Sequence, residues 1–207
     1  MRVRAIVPFQ QGDLDGLCGL YCIVNAVAVA VHRRPDPQGA HDRVARVPLR
    51  RFNARLAEQL LESLSRGLQQ FGGLPPTFDR GVSTVVLPKL LRRADRHLRL
   101  RHDTRLIWSK PFHKRKSVEP VAIVKRVRRH LREPYTAVIV GYLDHWSVIR
   151  SASPKRLRLA DSSNDLWMAT QRQDAKRCGI HVSDIWPTSL FLIRLVSSEY
   201  PAKRGRP

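Results

Sequence analysis

The chain has 207 residues and a hydrophobic content of 43%, which suffices for one domain with a sizeable core and excludes a disordered chain. Its three cysteines are too few for a disulfide framework, so they predict reduced thiols in a cytoplasmic protein. The formal net charge of +21 favours either a polyanionic partner or a solvated arginine-rich surface.

The first residues hold no continuous apolar run of the kind that a signal peptide needs. A loop over 10–16 precedes an apolar run over 17–31, which is shorter than the roughly 20 residues that span a bilayer. We therefore expect a buried core helix from about Leu17 to His32 and no membrane span.

Apolar residues recur every three or four positions along the next segments of the chain. They predict amphipathic helices over 49–71 and over 83–97. The sequence "TRLIWS" (104–109) predicts a short strand, and 119–132 predicts a further, basic helix.

The second half of the chain is rich in short β-type runs separated by turns. These runs cover 135–143, 145–151, 156–161, 179–184 and 189–196. A chain that forms helices in its first half and an antiparallel meander in its second half is typical of the α+β class. We predict one domain over 1–200, with a helical portion at about 17–132, a sheet portion at about 135–197, and a disordered basic tail at 201–207.

Cys18 lies where an acidic, glycine-containing loop meets the first predicted helix. The free N–H groups and the positive dipole end of a helix N-terminus favour an anion by roughly 0.3–1 kcal/mol, which suits a thiolate nucleophile. Gly16 and Gly19 flank this cysteine and would let a substrate backbone approach it. We interpret Cys22, one turn further into the helix, as a packing residue.

His145 opens a β-run directly after a turn, where a strand end can present a rigid side chain. Asp161 ends the next run, and the two runs predict a hairpin that turns near "SASPK". Pairing across this hairpin would bring Asp161 beside His145, where a carboxylate can orient an imidazole. Asn164 and Asp165 are alternative orienting residues.

Three motifs, "QQGDLDGLCGLYCIVNA", "HWSVI" and "RLRLAD", together resemble those of papain-like cysteine peptidases. The closest likeness is to the bacterial type that cleaves double-glycine leader peptides from bacteriocin precursors. The resemblance implies Cys18 as nucleophile, His145 as base and Asp161 as orienting acid. It also implies an upstream glutamine that donates to the oxyanion, for which we prefer Gln11 over Gln10. In that type an aspartate directly precedes the cysteine, whereas this chain reads "DGLCG".

The resemblance implies a papain-like α+β fold in which a buried nucleophile helix packs on a C-terminal antiparallel sheet. The expected activity is hydrolysis of a peptide or isopeptide bond in a peptide or protein substrate, through a thioester and without a cofactor or metal. Acyl transfer to an amine, as in transglutaminase-like enzymes, is one alternative. A basic nucleic-acid-binding protein without catalysis is another, and non-specific contact with nucleic acid is expected in either case. A zinc site from Cys18, Cys22 and Cys178 is disfavoured because the tight CxxC pairs of structural zinc are missing.

Overall fold

The fold is given by a computed structural model, which describes residues 17–33, 47–49, 51–70, 82–115, 117–143, 145–153, 156–160, 167–169 and 180–199. The helices described in these ranges are α1 (Cys18–His32), α2 (Ala54–Gln70), α3 (Val86–His102) and α4 (Pro120–His130). The described strands are β1 (Thr104–Ser109), β2 (Thr136–Tyr142), β3 (His145–Ala152), β4 (Arg156–Ala160), β5 (Trp167–Ala169), β6 (Ile180–His181) and β7 (Phe191–Ser197).

The predicted helices are confirmed, and side-chain caps account for shifts in where they begin. Helix α2 begins at Ala54 rather than at 49 because Asn53 Oδ1 accepts a hydrogen bond from the Leu56 N–H at 2.9 Å. Helix α3 begins at Val86 rather than at 83, after a turn in which the Ser83 Oγ accepts a hydrogen bond from the Val86 N–H. Its end lies at His102, beyond the predicted 97, because the left-handed residue Asp103 follows there with φ of 47°.

The strands form one seven-stranded sheet in the order β1-β7-β2-β3-β4-β5-β6. The predicted meander is right for β2, β3 and β4, which pair in sequence and antiparallel, and β5 continues it antiparallel to β4. It is wrong for the last strands, because β7 inserts between β1 and β2 and β6 pairs parallel to β5. Strand β7 is buried on both faces over most of its length, which is the pattern of an interior strand.

Two short segments differ from the predicted strands. In the described part of the predicted strand 179–184, which begins at Ile180, only Ile180 and His181 form a strand. His181 and Asp184 form a capping box that starts a 3₁₀ turn there. Strand β5 has three residues and escaped prediction, since so short a run carries no measurable period.

The sheet is covered on both faces, rather than on one face by a single helical layer. Helix α1 packs on one face, in the cluster that includes Trp146, Val148 and Phe191, and we call this the α1 face. Helix α3 contacts β1, and α2 packs against α1 and α3. Helix α4 packs on the other face, in the cluster that includes Val138, Tyr142 and Ile149. The α+β class is therefore as predicted, and β1, from within the expected helical portion, forms an edge strand of the sheet. The predicted tail at 201–207 lies outside the described residues.

Across the described ranges, no helix combines the length and the apolar character that crossing a membrane requires.

Candidate active site

Cys18 is the first residue of α1, and its side chain is 2% exposed. The preceding residue, Leu17, offers no side-chain cap, and the first turn of α1 carries no acidic residue. Among the described residues none caps this turn with a side chain, and free N–H groups at a helix start attract an anion. The sequence prediction that Cys18 opens the buried helix is confirmed.

Cys22 lies one turn further along the same helix and is 3% exposed. Its Sγ donates a hydrogen bond to the Ser147 carbonyl oxygen at 3.2 Å. This hydrogen bond connects the first turns of α1 to β3, and it is consistent with Cys22 as a packing residue of the core.

A second contact fixes the direction in which α1 crosses the sheet. At the other end of the helix, Arg33 Nη1 donates to the Arg150 carbonyl oxygen at 3.1 Å. Because Cys22 meets Ser147 and Arg33 meets Arg150, α1 and β3 run in the same direction. Cys18 precedes Cys22 by about 6 Å along the helix, and the start of β3 precedes Ser147 by about 7 Å along the strand. The N-terminal ends of α1 and β3 thus lie at the same end of the sheet.

His145 is the first residue of β3 and is partly buried. It pairs with Tyr142 across the turn to β2, and the two ring centroids are 5.8 Å apart in an edge-on arrangement. Side chains alternate along a strand, so Trp146 and Val148 lie on the α1 face, whereas His145 lies on the face of Tyr142. The structure therefore brings the segments of Cys18 and His145 to one end of the sheet, with the imidazole packed on Tyr142.

The other predicted members of the site, Gln11 and Asp161, lie outside the described residues. So do the alternatives weighed with them, Gln10, Asn164 and Asp165, as well as Gly16 and Cys178. The described part of β4 ends at Ala160, which pairs with Val148 of β3. Asp161 follows Ala160 directly in the chain.

Gly19 serves packing rather than substrate access, contrary to the sequence interpretation. A Cβ at this position would lie 2.5 Å from Val82 Cβ, so the side chain of Val82 occupies the space that the glycine leaves. The Val82 carbonyl oxygen in turn accepts a hydrogen bond from Trp146 Nε1. The segment at Val82 therefore closes over the α1 helix beside Cys18.

Sequence reasoning missed an aromatic cluster on the α1 face. Phe191 contacts Trp108 and Trp146, with ring centroids 5.8 and 5.9 Å away. Lys110 Nζ lies 4.8 Å from the centroid of the same phenyl ring, and burial lowers the pKa of this lysine. The cluster depends on β7 pairing with β1 and β2, and nothing in the local sequence signals that pairing.

Two exposed apolar side chains belong to the same end of the sheet. Leu143, in the turn between β2 and β3, is 62% exposed and has a left-handed backbone with φ of 42°. Trp186 is 45% exposed, and its backbone N–H donates to the Gly141 carbonyl oxygen at 3.2 Å. Large apolar side chains exposed beside a candidate site are suited to contact a substrate.

Within the described part of the chain, no group of three or more histidine, cysteine or acidic side chains could hold a metal ion. Comparison with protein-family models, with curated proteins and with solved structures finds no match for this chain.

Proposed function

We propose that the protein is a cysteine peptidase in which Cys18 is the nucleophile, His145 the base, Asp161 the orienting acid and Gln11 a donor to the oxyanion. The observation that supports this proposal is the parallel course of α1 and β3, because the helix start with Cys18 and the strand start with His145 then lie at the same end of the sheet. The first turn of α1, which no described side chain caps, would supply N–H donors for negative charge at the thiol.

In the proposed reaction, the imidazole takes the Cys18 thiol proton while Sγ bonds to the substrate carbonyl carbon. The Gln11 side chain and the Cys18 N–H donate to the resulting oxyanion. When the tetrahedral intermediate collapses, the C–N bond breaks and the imidazolium gives its proton to the leaving amine. Water then attacks the thioester carbon and gives a proton to the imidazole. The C–S bond breaks, the imidazolium returns the proton to Sγ, and the acid product is released.

Catalysis requires two changes from the conformation in the structure. The imidazole of His145, which packs on Tyr142, has to reach the thiol of Cys18 at the start of α1. The thiol of Cys18 also has to become accessible, because its side chain is 2% exposed.

Alkylation by iodoacetamide, followed by peptide mass spectrometry, tests the nucleophile against a matched control. Cys22 lies on the same helix and is buried to nearly the same degree, so exposure does not separate the two thiols. We expect Cys18 to react at least about tenfold faster than Cys22, because a thiolate is the reactive form. A His145→Asn variant should lose this advantage, whereas His113→Asn, at an exposed histidine, should keep it. Equal rates at the two cysteines would contradict the proposal.

Turnover is tested with a mixture of synthetic peptides that includes Gly-Gly sequences, with products identified by mass spectrometry. Cleavage that persists in Cys22→Ala and is absent in Cys18→Ala is the expected result. Methylamine in the same assay separates hydrolysis from acyl transfer, since a transferase would yield methylamides. Undiminished cleavage by Cys18→Ala would rule out the proposed nucleophile.

A further inference from the structure

A basic cleft lies between α2 and α3, and we call it the α2–α3 cleft. Its main lobe has a volume of about 250 Å³ and is lined by Gln59, Glu62, Ser63, Arg66, Arg93, His97 and Arg101. A second lobe of about 170 Å³ shares Ser63, Arg93, His97 and Arg101 and adds Arg96 and Leu100. The two lobes therefore meet at the same pair of guanidinium groups, those of Arg93 and Arg101.

Arg93 is held in a fixed position at the centre of this cleft. Its Nε donates to the Ser63 carbonyl oxygen, and its Nη1 donates to Gln70 Oε1 at 2.9 Å. The side chain crosses α2 at Gly67, where any Cβ would clash with Arg93 Cδ. A guanidinium carries five N–H donors, so these two bonds orient the group and leave three donors for a ligand.

The lining of the cleft has a large excess of positive charge. Arg66, Arg93, Arg96 and Arg101 contribute four guanidinium groups, whereas Glu62 is the one carboxylate among the described lining residues. Glu62 Oε1 accepts a hydrogen bond from Arg66 one turn away on α2. An anion in the cleft would thus be attracted by the arginines and opposed by this carboxylate.

We propose that the α2–α3 cleft binds an oligophosphate, with linked phosphate groups in the two lobes and Arg93 and Arg101 between them. Guanidinium groups match phosphate oxygens in geometry and bind them through paired N–H donors. The shared arginines at the junction favour a ligand with two or more phosphates over a single phosphate. Such a ligand is either an inorganic oligophosphate or the phosphate chain of a nucleotide, and this site is independent of the proposed peptidase activity.

Isothermal titration of the full chain with inorganic tripolyphosphate, at low salt, tests the proposal. Charge-assisted hydrogen bonds predict that Arg93→Gln weakens binding about 10- to 100-fold. Arg101→Gln provides the same test at an exposed position if the Arg93 variant does not fold. Glu62→Gln should tighten binding several-fold, because it removes the opposing charge and frees Arg66. The charge-matched control Arg129→Gln, on the exposed surface of α4, should change the affinity by less than about twofold.

Further titrations distinguish an inorganic oligophosphate from a nucleotide, and a specific site from attraction by the overall charge. Orthophosphate should bind more weakly than tripolyphosphate, and adenosine triphosphate tighter than tripolyphosphate would indicate a nucleotide site. An equal loss in Arg129→Gln and Arg93→Gln would show attraction by the overall charge and overturn the proposal. Tighter binding of a single-stranded DNA oligonucleotide, with the same dependence on Arg93, would also overturn it in favour of a nucleic-acid surface. The Cys18→Ala variant should bind tripolyphosphate unchanged, which keeps this test separate from that of catalysis.

Discussion

Replacing Gly19 by alanine tests whether the segment at Val82 closes over α1 beside Cys18. The new Cβ would lie 2.5 Å from Val82 Cβ and 2.7 and 2.9 Å from its two γ carbons. Non-bonded carbons prefer about 3.5–4 Å, and rotation of Val82 cannot help because its own Cβ is the nearest atom. Either α1 or the Val82 segment has to move by about 1 Å, and such overpacking costs about 1–3 kcal/mol.

A double-mutant cycle with position 82 isolates this contact. Val82→Ala removes the two γ carbons and leaves the shortest contact, so it should relieve the Gly19→Ala clash only in part. Val82→Gly removes all three atoms and should relieve the clash fully. It should also cost about 2–4 kcal/mol by itself, through lost burial and added backbone freedom. The coupling free energy should therefore be about 1–3 kcal/mol and larger with Val82→Gly than with Val82→Ala.

Urea unfolding followed by circular dichroism gives the free energy of unfolding of each variant. Gly67→Ala is the control, because a Cβ there clashes with Arg93 rather than Val82. Its cost should be unaffected by Val82→Gly and reduced by Arg93→Ala. Strict additivity of Gly19→Ala and Val82→Gly would refute the packing described beside Cys18.

Three further changes give independent tests. Acidification should destabilise the protein, because burial lowers the pKa of His130 below its ordinary value of 6.5. The unfolded state then binds more protons, so the free energy of unfolding falls as the pH drops below about 6.5, by at most about 1.4 kcal/mol per pH unit for this histidine. Urea unfolding at about pH 7.5 and 5.5 should show a smaller slope in His130→Gln, and an unchanged slope would assign the effect to other groups. Cys22→Ala should lower the free energy of unfolding by about 1–3 kcal/mol in the same assay, because the buried Ser147 carbonyl loses a donor. An unchanged free energy of unfolding would contradict the packing role of Cys22. Trp186→Ala should raise KM for a cleaved peptide with little change in kcat, because we expect its exposed ring to contact the substrate. An unchanged KM would show that the substrate does not contact Trp186.

The helices were predictable because each carries its own signal. The buried run of α1 and the three-to-four periodicity of α2 and α3 are local, and so are the hydrogen bonds that Asn53 and Ser83 accept where α2 and α3 begin. The position of β7 was not predictable in this way. Its place between β1 and β2 is set by pairing with residues far away in the chain, such as Leu195 with Leu106.

The position of Cys18 at the start of α1 follows from local sequence, whereas the orientation of His145 does not. Two residues separate Tyr142 from His145, so the turn makes them direct partners on one face of the sheet. A register shifted by one residue would place His145 on the α1 face, because neighbouring side chains of a strand alternate between faces. The spacing from His145 to Asp161 carries no information about this turn. The face of the sheet on which His145 lies is therefore set by the register of β2 and β3, and the proposed catalysis requires its imidazole to reach the start of α1 from that face.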